Sequence, residues 1–180
     1  MFLDSETFRV VVANTPLVAI DLLLRKPGGE MLLGLRLNRP ALGCWFVPGG
    51  RILKNESLDA AFARITRSEL GRAFARDQAR LLGVFEHFYP DSVFGNDAAH
   101  PDTHYIVLAY RLDLADAEDL QPPTLQHGHY RWWRPEAIRQ SAQVHGNTRA
   151  YLEAALYDGA GRARLEPGTP DRVPSADAAQ

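Results

Sequence analysis

The sequence predicts an α+β fold, a mixed β-sheet sandwiched between helices. Three observations carry this. Short apolar, β-rich runs occur both before and after one well-marked central helix. A further helical segment follows the last strand-like run near the end of the chain. And 180 residues give enough chain for one domain with one sizeable core.

Composition narrows the function classes. Apolar residues make up 46% of the chain and charged residues 23%, with a net charge of -2. That balance is ordinary for a globular protein and gives no basic face for nucleic acid. Cys44 is the single cysteine, so no internal disulfide framework exists. The N-terminus lacks a basic segment followed by an apolar run, and no stretch approaches the ~20 apolar residues that span a bilayer. The expectation is a cytoplasmic protein without a membrane partner.

Residues 4–14 predict a short amphipathic helix. Phe8, Val11 and Val12 fall at helical spacing, and Asp4 or Ser5 can cap it. Residues 16–24 form an apolar run that reads as a buried strand. Asp21 interrupts it and is expected to face solvent or to be hydrogen-bonded. Gly28-Gly29 turns the chain, and 31–37 returns as a second strand with Arg36 near its end. Residues 45–47 enter the glycine pair Gly49-Gly50 as a short strand. Later strands are expected over 81–88, 104–114 and 130–133. Between the first two lies a polar, turn-rich stretch, 89–103, whose length marks a lid or substrate loop. Pro135 opens a short helix, and Asn147 is expected to cap a last one running to Leu156. Residues 158–180, rich in Gly, Pro, Ala and Asp, are expected to form a disordered tail. The folded domain is thus expected over 1–157.

The central helix, 57–70, contains the sharpest anomaly. Ser57 or Asn55 can cap its start, and Gly71 suits its end. Leu58, Phe62 and Ile65 form one apolar stripe. Glu69, eleven residues after Leu58, lies within about 20° of it around the helix. Burying a carboxylate is costly unless it is paired or holds a metal. Glu69 therefore either bends out to water at the helix end or has a partner.

The stretch from Gly50 to Gly71 resembles the Nudix box: Gly, five residues, Glu, seven residues, then Arg-Glu-apolar-any-Glu-Glu-any-Gly. Gly50, Glu56, Arg64, Glu69 and Gly71 fall at matching spacings. Ile65, Thr66 and Ser68 depart from the pattern, leaving one helix carboxylate where three are usual. With its flanks the chain is similar to the GDP-mannose mannosyl hydrolase branch of the Nudix hydrolases. Those flanks include Asn38-Arg39-Pro40-Ala41, Trp45-Phe46-Val47-Pro48-Gly49-Gly50-Arg51, His87-Phe88-Tyr89, Thr103-His104-Tyr105, Gln126-His127 and Tyr130-Arg131-Trp132. The resemblance implies the Nudix-type α/β/α sandwich around a mixed β-sheet, and a homodimer.

It also implies a site. One Mg²⁺, or Mn²⁺ in its place, would be held by Glu69, the Gly49 carbonyl and Gln126. Hard oxygen ligands and few protein donors suit such an ion. Arg51, Arg64 and Tyr105 would steady the charge on a leaving diphosphate, since guanidinium forks match phosphate oxygens. Arg64 has a second reading, as the partner of a structural Glu56. Asp21, Arg36 and His87 would bind the substrate, a nucleotide sugar. His127, in a loop after two prolines, would be the general base, with His87 as the fallback. His127 and His129 lack the further ligands of a zinc site.

The implied reaction is attack of water on the anomeric carbon of GDP-mannose, or GDP-glucose, with inversion. Two alternatives stand beside it. One is a Nudix diphosphatase attacking phosphorus. The other is a non-catalytic nucleotide-sugar sensor.

Overall fold

A computed structural model describes residues 3–115, 120–123 and 127–156. The expected tail, 158–180, lies outside the described residues, as does Gln126. Helix α1 (Ser5–Asn14) leads into β1 (Leu17–Arg25) and β2 (Met31–Arg36). The short strands β3 (Trp45–Phe46) and β4 (Gly49–Arg51) precede helix α2 (Leu58–Leu70). Then come β5 (Arg80–Tyr89), β6 (Thr103–Asp113), β7 (His127–Trp133), and the helices α3 (Pro135–Gln140) and α4 (Gly146–Leu156).

The strands form one mixed sheet ordered β3-β2-β1-β6-β5, with β4 paired to β1 and β7 to β2. β1 and β6 run parallel over nine register pairs, from Leu17 opposite Tyr105 to Arg25 opposite Asp113. The other pairings of named strands are antiparallel. β1 is central, and its alternation divides the core. Ala19 and Leu23 point into a cluster with Val107, Phe85, Tyr151 and Leu152 beneath α4. Ile20, Leu22 and Leu24 point into a second cluster with Phe62, Ile65 and Leu70 of α2. A strand covered on both faces needs the near-continuous apolar run that β1 has. Truncating a fully buried Leu22 to Ala would cost about 2–5 kcal/mol.

Caps follow the local chemistry. Asp4 Oδ1 accepts from Thr7 N at 2.9 Å, and Ser57 Oγ accepts from Ala60 N at 3.2 Å. Gly71 ends α2 in the left-handed region with φ 75°. Pro135 takes the first position of α3.

Some local expectations are corrected. Leu58 is 40% exposed, because it sits on the first turn of α2 beyond the sheet's reach. Ala61, Phe62, Ile65 and Glu69 make the buried face instead. Asn147 is not a cap: α4 begins at Gly146, and Asn147 Nδ2 donates to the Tyr89 hydroxyl at 3.1 Å. The glycine pair, rather than ending a strand, belongs to β4. Among the described residues no helix is long and apolar enough to cross a membrane.

Candidate active site

The sheet register brings the expected residues together. Asp21 on β1 lies opposite Gly49 on β4, and Ala19 lies opposite Arg51. His87 on β5 lies opposite Tyr105 on β6. Together with Arg36, at the end of β2, these side chains line one cavity of about 520 Å³. The cavity is within the size range of small-molecule sites, roughly 300–1,000 Å³. Gly49 is needed there for close approach, since a Cβ would stand 2.5 Å from Asp21 Oδ1.

The cavity wall is cationic. Arg36, Arg39 and Arg51 line it, with Asp21 the one carboxylate among the described lining residues. Arg39 is spoken for, its Nη1 bonding Asp91 Oδ2 at 2.8 Å. Arg36 donates from Nη2 to the Pro40 carbonyl at 3.3 Å, while its Nε is buried without a partner. Partial burial lowers the Arg51 pKa, with nearby Tyr105 opposing that shift. Tyr105 is raised by burial and pulled back by Arg51 and Arg36.

Asp21 is buried, not solvent-facing. Its Oδ2 accepts from the Tyr151 hydroxyl at 2.5 Å. Burial pushes its carboxyl up to about 6, against the Tyr151 bond and the Arg36 charge. His87 is also buried and held neutral, its imidazole pushed down to about 3 by burial and then by His145.

Glu69 and His127 lie elsewhere. Neither lines the cavity. Glu69 is 3% exposed on α2, so it does not bend out to water. His127 is fully buried and opens strand β7 opposite Arg36, which corrects its expected place in a loop. The strand extends to it because Gly34 leaves room: a Cβ there would stand 2.5 Å from the imidazole carbons. His127 Nδ1 is 3.1 Å from the Tyr130 hydroxyl and 3.6 Å from Glu69 Oε2. Burial pushes Glu69 up to about 7 and His127 down to about 4. Burial thus moves both groups toward their neutral forms and works against an ion pair between them. Among the described residues, Glu69 Oε2 and His127 Nε2 are both buried without hydrogen-bond partners.

That orphaned carboxylate oxygen suits a hard divalent cation. Among the described residues no three His, Cys, Asp or Glu side chains converge, so the remaining donors would be backbone carbonyl, amide and water, as Mg²⁺ accepts.

Arg64 is committed to the loop before its helix. Its Nε and Nη2 bond the two Glu56 oxygens at 2.7 and 2.8 Å, and Nη2 also reaches the Arg51 carbonyl at 2.8 Å. This fork holds Glu56 down at about 2. Arg64 thus fixes the backbone of Arg51 from behind and does not line the cavity.

Three features go beyond the sequence expectations. The Phe8 ring of α1 lies 3.9 Å from the Arg51 guanidinium carbon and also packs against Phe94. The 89–103 stretch is tied down by Asp91, which takes Arg39 and, through its carbonyl, Thr103 Oγ1 at 2.7 Å. Val93 of that stretch lines the cavity. Tyr151 lies behind Asp21 and His87. The periodicity of α1 was a signal for Phe8, whereas Tyr151 lies 130 residues from Asp21 and had none.

A family model for the NUDIX domain matches residues 15–154. The low-salt glycan biosynthesis protein Agl8 of Haloferax volcanii is 41% identical over 134 residues, covering 74% of this chain and 80% of that protein. Among solved structures, a MutT NUDIX hydrolase from Burkholderia pseudomallei aligns with TM-score 0.61 and 26% identity, covering 78% of this chain and 98% of the other. The NUDIX domain of Shewanella oneidensis NrtR, complexed with ADP ribose, shares the fold with TM-score 0.58 and 20% identity, over 85% and 91% of the two chains.

Proposed function

The chain belongs to the NUDIX family, and on that premise we propose that it hydrolyses a nucleoside diphosphate sugar, GDP-mannose or its glucose counterpart, to the nucleoside diphosphate and the free sugar. The observation that carries the reading is the cavity's division of labour. Arg36 and Arg51 bring two guanidinium forks to the cavity, and among the described residues neither is hydrogen-bonded to a carboxylate, which suits a diphosphate. Asp21 and His87 offer buried polar groups beside them, suited to sugar hydroxyls. The relative Agl8 carries glycan biosynthesis in its name, which fits a nucleotide-sugar substrate.

In the proposed reaction a water oxygen bonds to the anomeric carbon as the carbon–oxygen bond to the diphosphate breaks. The leaving group takes the electron pair, and configuration at carbon inverts. The water proton is assigned to His127, which is fully buried outside the cavity and so takes this role only once the start of β7 moves to bring its ring to the water. With Nδ1 donating to the Tyr130 oxygen, His127 Nε2 holds a free lone pair, and among the described residues Nε2 has no hydrogen-bond partner. Burial lowers its pKa, which keeps the ring neutral; the same burial weakens it as a base until water reaches it. Arg51 and Tyr105 stabilise the growing charge on the diphosphate. Arg64 acts on the same charge only through the Arg51 backbone it holds. A bound Mg²⁺, with Glu69, the Gly49 carbonyl and Gln126 as its protein share, would supply further neutralisation of the diphosphate. Leu3 and Val10, exposed at the N-terminus and on α1, would meet the second copy in a homodimer.

Proton NMR of GDP-mannose turning over with Mg²⁺ tests the reading. Early β-mannose with GDP is the expected result. Mannose 1-phosphate with GMP would place attack on phosphorus and overturn it. Ligand binding without turnover would make the protein a sensor.

A further inference from the structure

Tyr151 of α4 sits behind two residues of the cavity without lining it. Its hydroxyl donates to Asp21 Oδ2 at 2.5 Å and stands 3.1 Å from His87 Nε2. The three side chains come from α4, β1 and β5 and are 0%, 7% and 4% exposed. The Phe85 ring, 4.8 Å away edge-on, and the His87 ring, 5.6 Å away, pack against the phenol ring.

A phenol has one hydrogen to give. Burial and the Asp21 carboxylate hold that proton on Tyr151. Once it is given to Asp21, only the oxygen's lone pairs remain for His87. His87 Nε2 must then carry the ring proton and donate to Tyr151, which leaves Nδ1 as an acceptor.

We propose that Tyr151 is a positioning residue of the sugar-binding half of the cavity, locking His87 in the Nε2–H tautomer and Asp21 in one orientation, so that both present acceptors to hydroxyl donors of the substrate. The ligand half of this proposal rests on the nucleotide-sugar reading; the tautomer half does not. It also gives a selectivity rule: the site favours sugar positions bearing free hydroxyls over those where the hydroxyl is methylated, because a methyl ether cannot donate.

The test is long-range nitrogen–proton NMR of the histidine rings, with the His87 signal assigned by its loss in His87→Gln. The wild-type protein is expected to show the Nε2–H pattern at His87. Tyr151→Phe, which keeps the ring packing, is expected to lose that pattern for a mixture of tautomers. In the same variant KM for GDP-mannose is expected to rise on the order of tenfold while kcat changes far less. An Nδ1–H pattern in the wild type, or an unchanged pattern in Tyr151→Phe, overturns the proposal. The wild-type spectrum decides alone should the variant not fold. Absence of turnover by the wild type would remove the ligand half, while the spectra still decide the tautomer.

Discussion

Glu69 Oε2 lies 3.6 Å from His127 Nδ1, and burial works against charge on both. Burial moves each toward its neutral form, the carboxyl up to about 7 and the imidazole down to about 4. A carboxylate so placed is stabilised by a bound cation. Mg²⁺ is expected to raise the Tm of the wild-type protein by about 5 °C or more when present a hundredfold above its Kd. Glu69→Gln is expected to lose that rise and most of its Mg²⁺-dependent turnover. An equal rise in the variant would show that the ion sits elsewhere, a comparison that differential scanning calorimetry makes directly.

His127 and His87 predict different kinetic signatures. Replacing His127 by Asn removes the proposed proton acceptor and is expected to lower kcat about 10²- to 10⁴-fold with little change in KM. His87→Gln removes a substrate contact and is expected to act mainly on KM. Steady-state kinetics with GDP-mannose separates the two, and a reversed pattern would make His87 the base.

The Glu56–Arg64 fork is a stability device. It is bidentate and ties two segments together, but Arg64 is 35% exposed, so solvent screens part of its strength. A double-mutant cycle of Glu56→Gln and Arg64→Ala in urea is expected to give a coupling of about 1–2 kcal/mol. Arg64→Ala should also weaken catalysis by loosening the Arg51 backbone, whose carbonyl it holds. A coupling near zero would remove the bracing role.

Buried His87 makes stability depend on pH with a definite sign. Its folded pKa is depressed from 6.5 to about 3. The unfolded chain therefore binds the proton first, so His87's contribution is fully present above about pH 6.5 and is lost as pH falls toward 3. His127 acts in the same direction, from 6.5 down to about 4. His87→Gln is expected to flatten the decline by on the order of 5 kcal/mol across that window. Urea unfolding at a series of pH values checks it; an unchanged slope would mean that His87 takes up its proton without unfolding.

Much of this protein was decided locally and could be read from the chain. The caps at Asp4, Ser57 and Gly71 and the glycine entry to α2 depend on side chains reaching their own backbone within a few residues. The apolar run of β1 declared a strand buried on both faces. Glu69 stood out as a carboxylate on an apolar stripe, to be paired or to bend out, and Arg64 as either a diphosphate contact or the partner of Glu56; the structure buries the first and gives the second to Glu56. Family spacing named Asp21, Arg36, Arg51, His87 and Tyr105, which the sheet register then gathered around one cavity.

Only the tertiary structure decided what lies behind and beside those groups. Tyr151 meets Asp21 across 130 residues of chain, and Phe8 of α1 meets Arg51 of β4 across three intervening strands. His127 became a buried strand residue because Gly34, on a neighbouring strand, leaves the space for its ring. The physical reason is the same in each case. Caps and periodicity are set by interactions within a few residues, whereas desolvation and tautomer depend on which distant atoms displace water from a side chain. No local pattern records those neighbours; packing alone chooses them.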